Sequence, residues 1–219
     1  MAFDSPLTAD FGNIVPLNRE FLELLRTEKG LRKSVMELPE YQHHRLVTLD
    51  RSEALRLAET PFLLFSFREH DDVYWDRILT EPGSPGLFHG RISENVSTLM
   101  SSALGLIWHL AQRDPFTLRL FSGAPLSWCE TIADLTLHHL LDATCRSGDL
   151  PVLRFSYHRE LWRSLLDGGV SGRVSVRKAT QLSALQIVLS RSQQNAQWAR
   201  AAKTLRPHAL RVADENDPK

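Results

Sequence analysis

The chain has 219 residues, of which 42% are hydrophobic and 24% charged, with 26 basic and 26 acidic side chains. That apolar fraction excludes a disordered chain, and no compositional bias points to a collagen, low-complexity or disulfide scaffold. A chain of this length buries enough surface for one substantial core.

Residues 1–17 read as a flexible N-terminus, without the basic and apolar regions of a secretory signal. Asn18 is placed to cap a helix over 19–29, whose Phe21, Leu22, Leu24 and Leu25 supply an apolar face. Asp50 with Glu53 is a capping-box start for a helix over 51–59. Thr60-Pro61 then interrupts, because a residue before proline resists the helical region. Residues 61–68 are short and rich in phenylalanine, so a buried strand competes there with a helical turn. A helix follows from Asp71 or Asp72 to about Leu79, and 81–86 (EPGSPG) is a loop.

The segment 92–112 is predicted to be the central buried helix, since its apolar residues cover an arc of roughly 200°. Asp114-Pro115 opens a short helix that Ser122-Gly123 closes. A second long helix is predicted over 125–146, stopped at Gly148. Residues 151–155 are a short extended connection, Ser156 caps a helix over 157–167, and Gly168-Gly169 end it. A last helical pattern runs over 173–206 and ends at Pro207. The predicted fold is all-α: a compact bundle of about seven or eight helices, with at most a short extended segment near 61–68 or 151–155. One helical domain over 18–206 and a flexible tail over 207–219 complete the organisation.

Cys129 and Cys145 are too few for a disulfide framework. On one continuous helix they stand about 24 Å apart, too far to bond, and free thiols fit a reducing, cytoplasmic setting. The densest apolar run, 61–67, is far shorter than the ~20 residues a membrane span needs.

The zero net charge hides an asymmetry. Residues 1–167 carry 17 basic and 23 acidic side chains, a balance of −6. Residues 168–213 carry Arg173, Arg177, Lys178, Arg191, Arg200, Lys203, Arg206 and Arg211 with no acidic residue, a balance of +8. Such a segment suits an anionic partner, or docking on the acidic remainder of the same chain. On one helix Arg173, Arg177 and Arg191 fall within about 40° of one another. Arg200, Lys203 and Arg206 extend them along a possible phosphate track, with Gln181, Gln193, Gln194 and Asn195 as further polar contacts. Aromatic interleaving is thin, with Trp198 alone in that stretch. Trp162 and Trp198 are candidate anchors for a protein partner, set against ordinary core packing.

Glu130, Asp134, His138 and Asp142 recur at i, i+4 spacing along 125–146. Asp134 with His138 could clamp a metal from one helix face, and Asp142 one turn on completes the candidate set; a catalytic metal normally takes three protein ligands, the pattern does not itself identify the third, and the bland alternative is a solvated, ion-paired face. His139 falls on the apolar arc and reads as a core histidine. Glu69, Asp71, Asp72 and Asp76 are a second acidic group, explained more simply by the positive end of a helix than by a cation. No Walker loop, dinucleotide fingerprint, nucleophile elbow or zincin motif is present.

The leading expectation is a non-enzymatic regulatory or adaptor protein that binds another macromolecule, with a protein partner ranked first and no cofactor. A nucleic-acid-associated transcriptional regulator is the narrower alternative, and a metal-dependent helical enzyme centred on Asp134, His138 and Asp142 is the rival from another class. Self-association is open, and membrane insertion is not expected.

Overall fold

The computed structural model describes the backbone of residues 8–32, 37–80 and 93–205, with side chains at 9–31, 37–80 and 93–190. Within these residues the fold is all-α, with eleven α-helices and one minimal strand pair. The helix count exceeds the expectation because breaks divide patterns that look continuous in sequence. The expected tail over 207–219, the loop at 81–86 and residues 1–7 lie outside the described residues.

Helix α1 spans Thr8–Thr27 and starts well before Asn18, with Pro16 inside it. Ile14, Leu17, Phe21, Leu24 and Leu25 are all buried. The packing of this stripe offsets the hydrogen bond that a proline removes. Asn18 caps nothing; it is fully buried in mid-helix. Its side-chain amide donates to the Phe62 carbonyl at 2.9 Å, and its oxygen accepts from the Leu64 N–H at 2.8 Å. One residue thereby satisfies the backbone of a buried extended segment, which water cannot reach.

Short helices α2 (Lys29–Arg32) and α3 (Glu40–Val47) follow. Helix α4 (Arg51–Ala58) begins with the expected reciprocal box between Asp50 and Glu53. Then β1 (Phe65–Ser66) pairs antiparallel with β2 (Val152–Leu153), in register Phe65–Leu153 and Ser66–Val152. Both segments with extended character in the sequence are thus extended, and each is the other's partner.

Helix α5 covers Asp72–Thr80, and α6 covers Glu94–Arg113 with Ser93 as its cap. Val96, Leu99, Met100, Ala103, Leu104, Ile107 and Leu110 are buried along α6, which makes it the central helix. Helix α7 (Pro115–Ser122) starts at Asp114, whose carboxylate accepts from the N–H groups of Phe116 and Thr117. Gly123 closes α7 with φ 64°, a conformation that glycine adopts without strain.

The expected helix over 125–146 is two helices, α8 (Leu126–Asp134) and α9 (Leu137–Ser147). Leu135 is extended, and Thr136 caps α9 through the His139 N–H. The break has a tertiary cause. The Trp108 indole on α6 donates to the Leu135 carbonyl at 2.8 Å, and the Gln112 amide donates to the Ala133 carbonyl. These carbonyls at the end of α8 find partners on α6, so no further helical turn is needed.

Helix α10 (Arg159–Ser164) is capped by His158, whose Nδ1 accepts from the Leu161 N–H. Ser156, the expected cap, instead donates its hydroxyl to Glu37. A π-helical turn over Leu165–Gly169 leads to α11 (Val174–Leu205), the longest helix described. The buried apolar residues form one cluster running from Ile14 to Val188.

Candidate functional site

Helix α11 is the element on which most candidate residues fall. Its 32 residues make it about 48 Å long at 1.5 Å per residue. Gln181, Ala184 and Val188 are buried, and the π turn and α10 are its main packing partners. Val188 also seats against Gly123, where an added Cβ would collide with its Cγ1.

The structure separates the basic residues into groups. Arg177 is docked: its Nε lies 3.0 Å from Glu59 at the end of α4, and its Nη1 donates to the Ser171 carbonyl at 2.9 Å. This arginine neutralises Glu59. Gln181, considered above as an outward polar contact, turns inward and donates to the Arg56 carbonyl. Arg173 and Lys178 are exposed, with no ion pair to another described residue. Arg191, Arg200 and Lys203 lie on the α11 backbone, outside its described side chains, and Arg206 lies outside the described residues.

The start of α11 is electrostatically costly. It has no acidic residue in its first turn and places Arg177 and Lys178 near its positive end. A cation there loses about 0.3–1 kcal/mol relative to a neutral residue. Glu59 offsets this for Arg177, whereas no described acid does so for Lys178 or Arg173. The same half of the helix exposes Val174, Val176 and Leu182, the last at 60%.

The acidic candidates are not brought together as a metal site. Asp134 ends α8 while His138 and Asp142 lie on α9, so the i, i+4 relation across Leu135 and Thr136 is lost. All three are exposed, and Asp142 pairs with Arg146 at 3.0 Å on the same helix. His139 is exposed rather than in the core, because the break resets the phase of the helix. Among the described residues no three His, Cys, Asp or Glu side chains converge in metal-binding geometry. The second acidic group divides as well: Asp71 caps the Tyr74 N–H at the start of α5, while Glu69 turns into the core.

Glu69 and Arg154 form a centre that the sequence pattern gave no reason to select. Arg154 Nη2 is 2.8 Å from Glu69 Oε1, with the two side chains 2% and 0% exposed. Arg154 also donates to the carbonyls of Leu63 at 2.6 Å, Phe65 at 2.5 Å and Ser122. The Ser66 hydroxyl donates to the second carboxylate oxygen of Glu69. Burial opposes ionisation of Glu69, yet Arg154, Ser66 and a backbone N–H together hold its carboxyl below the ordinary value. Every partner is internal, so the centre ties β1, β2 and the end of α7 together. Its signal would have been a charged pair with no exposed role, but the two residues are 85 apart in sequence.

His70, next to Glu69, has both ring nitrogens buried without a hydrogen-bond partner among the described residues. Burial pushes its imidazole below the ordinary value; Glu69 and Asp72 oppose that shift, and Arg154 adds to it. Trp162 is a core residue, 1% exposed, with its indole donating to the Arg154 carbonyl at 2.9 Å. Both cysteines are free thiols, Cys129 buried and Cys145 exposed. An open groove of about 580 Å³ between α1, α4 and the start of α6 is lined by Val15, Pro16, Glu20, Leu55 and Asn95 among others. No helix among the described residues is long and apolar enough to cross a membrane. Comparison with family models, curated proteins and solved structures finds no match to this chain.

Proposed function

We propose that this chain is a non-enzymatic helical adaptor or regulatory protein, and that α11 is the element with which it grips another macromolecule. The observation that carries this reading is the acid-free helix itself. Lys178 within it and Arg173 immediately before it are exposed at an end where a helix disfavours cations, beside exposed Val176 and Leu182. Of Arg173, Arg177 and Lys178, internal docking accounts for Arg177 alone.

The test is native affinity capture with the full chain and with an Arg173→Glu/Lys178→Glu variant. A stoichiometric macromolecule retained by the first and lost from the second supports the reading. Identical recovery on both, or none on either, contradicts it. The narrower nucleic-acid reading draws on the +8 balance of residues 168–213. It requires binding that falls steeply with salt, because each neutralised phosphate releases counterions.

A further inference from the structure

We infer that His70 is a pH-sensitive latch for α11, and that proton uptake by its ring releases the helix around Val188 from its seat on Gly123. As regulation of the contact element the inference rests on the proposed function, although the release itself involves this chain alone. Both ring nitrogens of His70 are withdrawn from water and have no hydrogen-bond partner among the described residues. The ring lies against Phe155 instead, with centroids 6.2 Å apart. Phe155 is buried and holds a left-handed backbone, with φ 50°. Its Cζ is 3.8 Å from where a Cβ on Gly123 would stand, and the Cγ1 of Val188 fills that same space. Contacts therefore run from His70 through Phe155 to the point where α11 meets the end of α7.

A protonated ring cannot stay in this position. Imidazolium carries two N–H donors and a full charge, and the packing offers neither nitrogen an acceptor. The charged groups that face it give no relief. Arg154, just after β2, is itself a cation. Glu69 has one carboxylate oxygen on Arg154 and the other on Ser66. Asp72 is exposed at the start of α5, where water weakens its pull. As pH falls through the ordinary imidazole value of 6.5, the proton therefore goes to a conformer whose ring has turned out to water. Phe155 then loses the ring it packs against, and a left-handed non-glycine residue persists only while its surroundings hold it. Without Phe155 behind it, Val188 loses its seat and the surrounding turns of α11 open.

Amide hydrogen exchange of the full chain at pH 7.5 and 5.5, scaled for intrinsic chemical exchange, reads this opening without any partner. Amides of residues 184–190 report on α11, and those of 99–107 report on the central helix α6. The variants are His70→Phe, His70→Gln and Phe155→Leu, each with its fold verified by its thermal melt. Two different replacements at His70 keep the test decisive should one of them fail to fold.

In the wild type, 184–190 are expected to be less protected than 99–107 at both pH values, as a local opening requires. Their protection is expected to fall about tenfold from pH 7.5 to 5.5, the gain in proton binding by a freed imidazole of ordinary value. Either His70 variant is expected to abolish that fall, and Phe155→Leu to abolish it with His70 intact. Protection of 184–190 that ignores pH, or that equals that of 99–107, overturns the inference. A fall that survives in a folded His70 variant, or in Phe155→Leu, overturns it as well. Any of these results leaves α11 as the contact element. Failure of affinity capture at pH 7.5 instead removes the proposed function and leaves the opening of α11 as a property of the fold.

Discussion

The Glu69 carboxylate lies 2.8 Å from the Arg154 guanidinium with both side chains withdrawn from water, and each neighbours a strained residue. Arg68 and Phe155 adopt left-handed backbone, with φ 61° and 50°. Non-glycine residues pay of the order of 1 kcal/mol for that conformation. The two left-handed residues flank the pair, Arg68 just before Glu69 and Phe155 just after Arg154, beyond the ends of the paired strands.

Breaking this pair by removing one partner leaves the other charged, buried and unmatched. Arg154→Met is expected to lower stability by about 3–5 kcal/mol, seen as an earlier urea midpoint. The double variant Glu69→Leu/Arg154→Met is expected to be less destabilised than the single, because no orphan charge remains. A single variant that unfolds at the wild-type midpoint would contradict the role assigned to the pair.

Acid is expected to destabilise the fold in two steps. The His70 imidazole is held below its ordinary value of 6.5, so the unfolded chain takes up that proton more readily. Stability is therefore lost as pH falls below about 6.5, and a His70→Phe variant removes this first step. The depressed Glu69 carboxyl adds a second loss, below its ordinary value of 4.5. Urea midpoints measured between pH 7.5 and 3.5 in about half-unit steps separate the two. A flat response of the wild type between pH 7.5 and 5.5 would contradict the first.

The seat of α11 depends on the absence of a side chain at Gly123. Alanine there meets a left-handed φ and collides with Val188. Gly123→Ala is expected to cost at least about 1–2 kcal/mol, and pairing it with Val188→Ala is expected to recover part of that loss beyond additivity. Thermal melts of the four proteins in this cycle measure the coupling, and strict additivity would show that Val188 does not fill the space above Gly123.

The two thiols are expected to differ sharply in reactivity. Cys129 is buried, and that burial pushes its thiol up to about 12, whereas Cys145 is exposed. A thiol reagent at neutral pH is expected to label Cys145 quickly and Cys129 only on unfolding. Rapid labelling of both in the native protein would contradict the placement of Cys129.

Local signals in the sequence marked the helix starts at Asp50 and Asp114 correctly, because a capping carboxylate and a proline act within a few residues, and the apolar arc of 92–112 marked the long α6. Signals that depend on distant partners were not legible. The Asn18 side chain looks like a cap until its amide finds the backbone of Phe62 and Leu64. The break at Leu135 is invisible in a periodic pattern, because Trp108 and Gln112 on α6 supply its hydrogen bonds. The metal candidates Asp134, His138 and Asp142 fell with that break. Arg154 and Glu69 offered no local motif at all. The basic character of α11 was legible as charge, but only the structure distinguishes docked Arg177 from exposed Arg173 and Lys178.

The most direct test of α11 as the contact element is lysine acetylation footprinting of the full chain, alone and in native extract from its own cells. Lys178 on α11 and Lys29 on α2 are both exposed, so each reports its own surface. The account predicts that extract protects Lys178 from acetylation and leaves Lys29 unchanged. Equal modification of Lys178 in both conditions would contradict it.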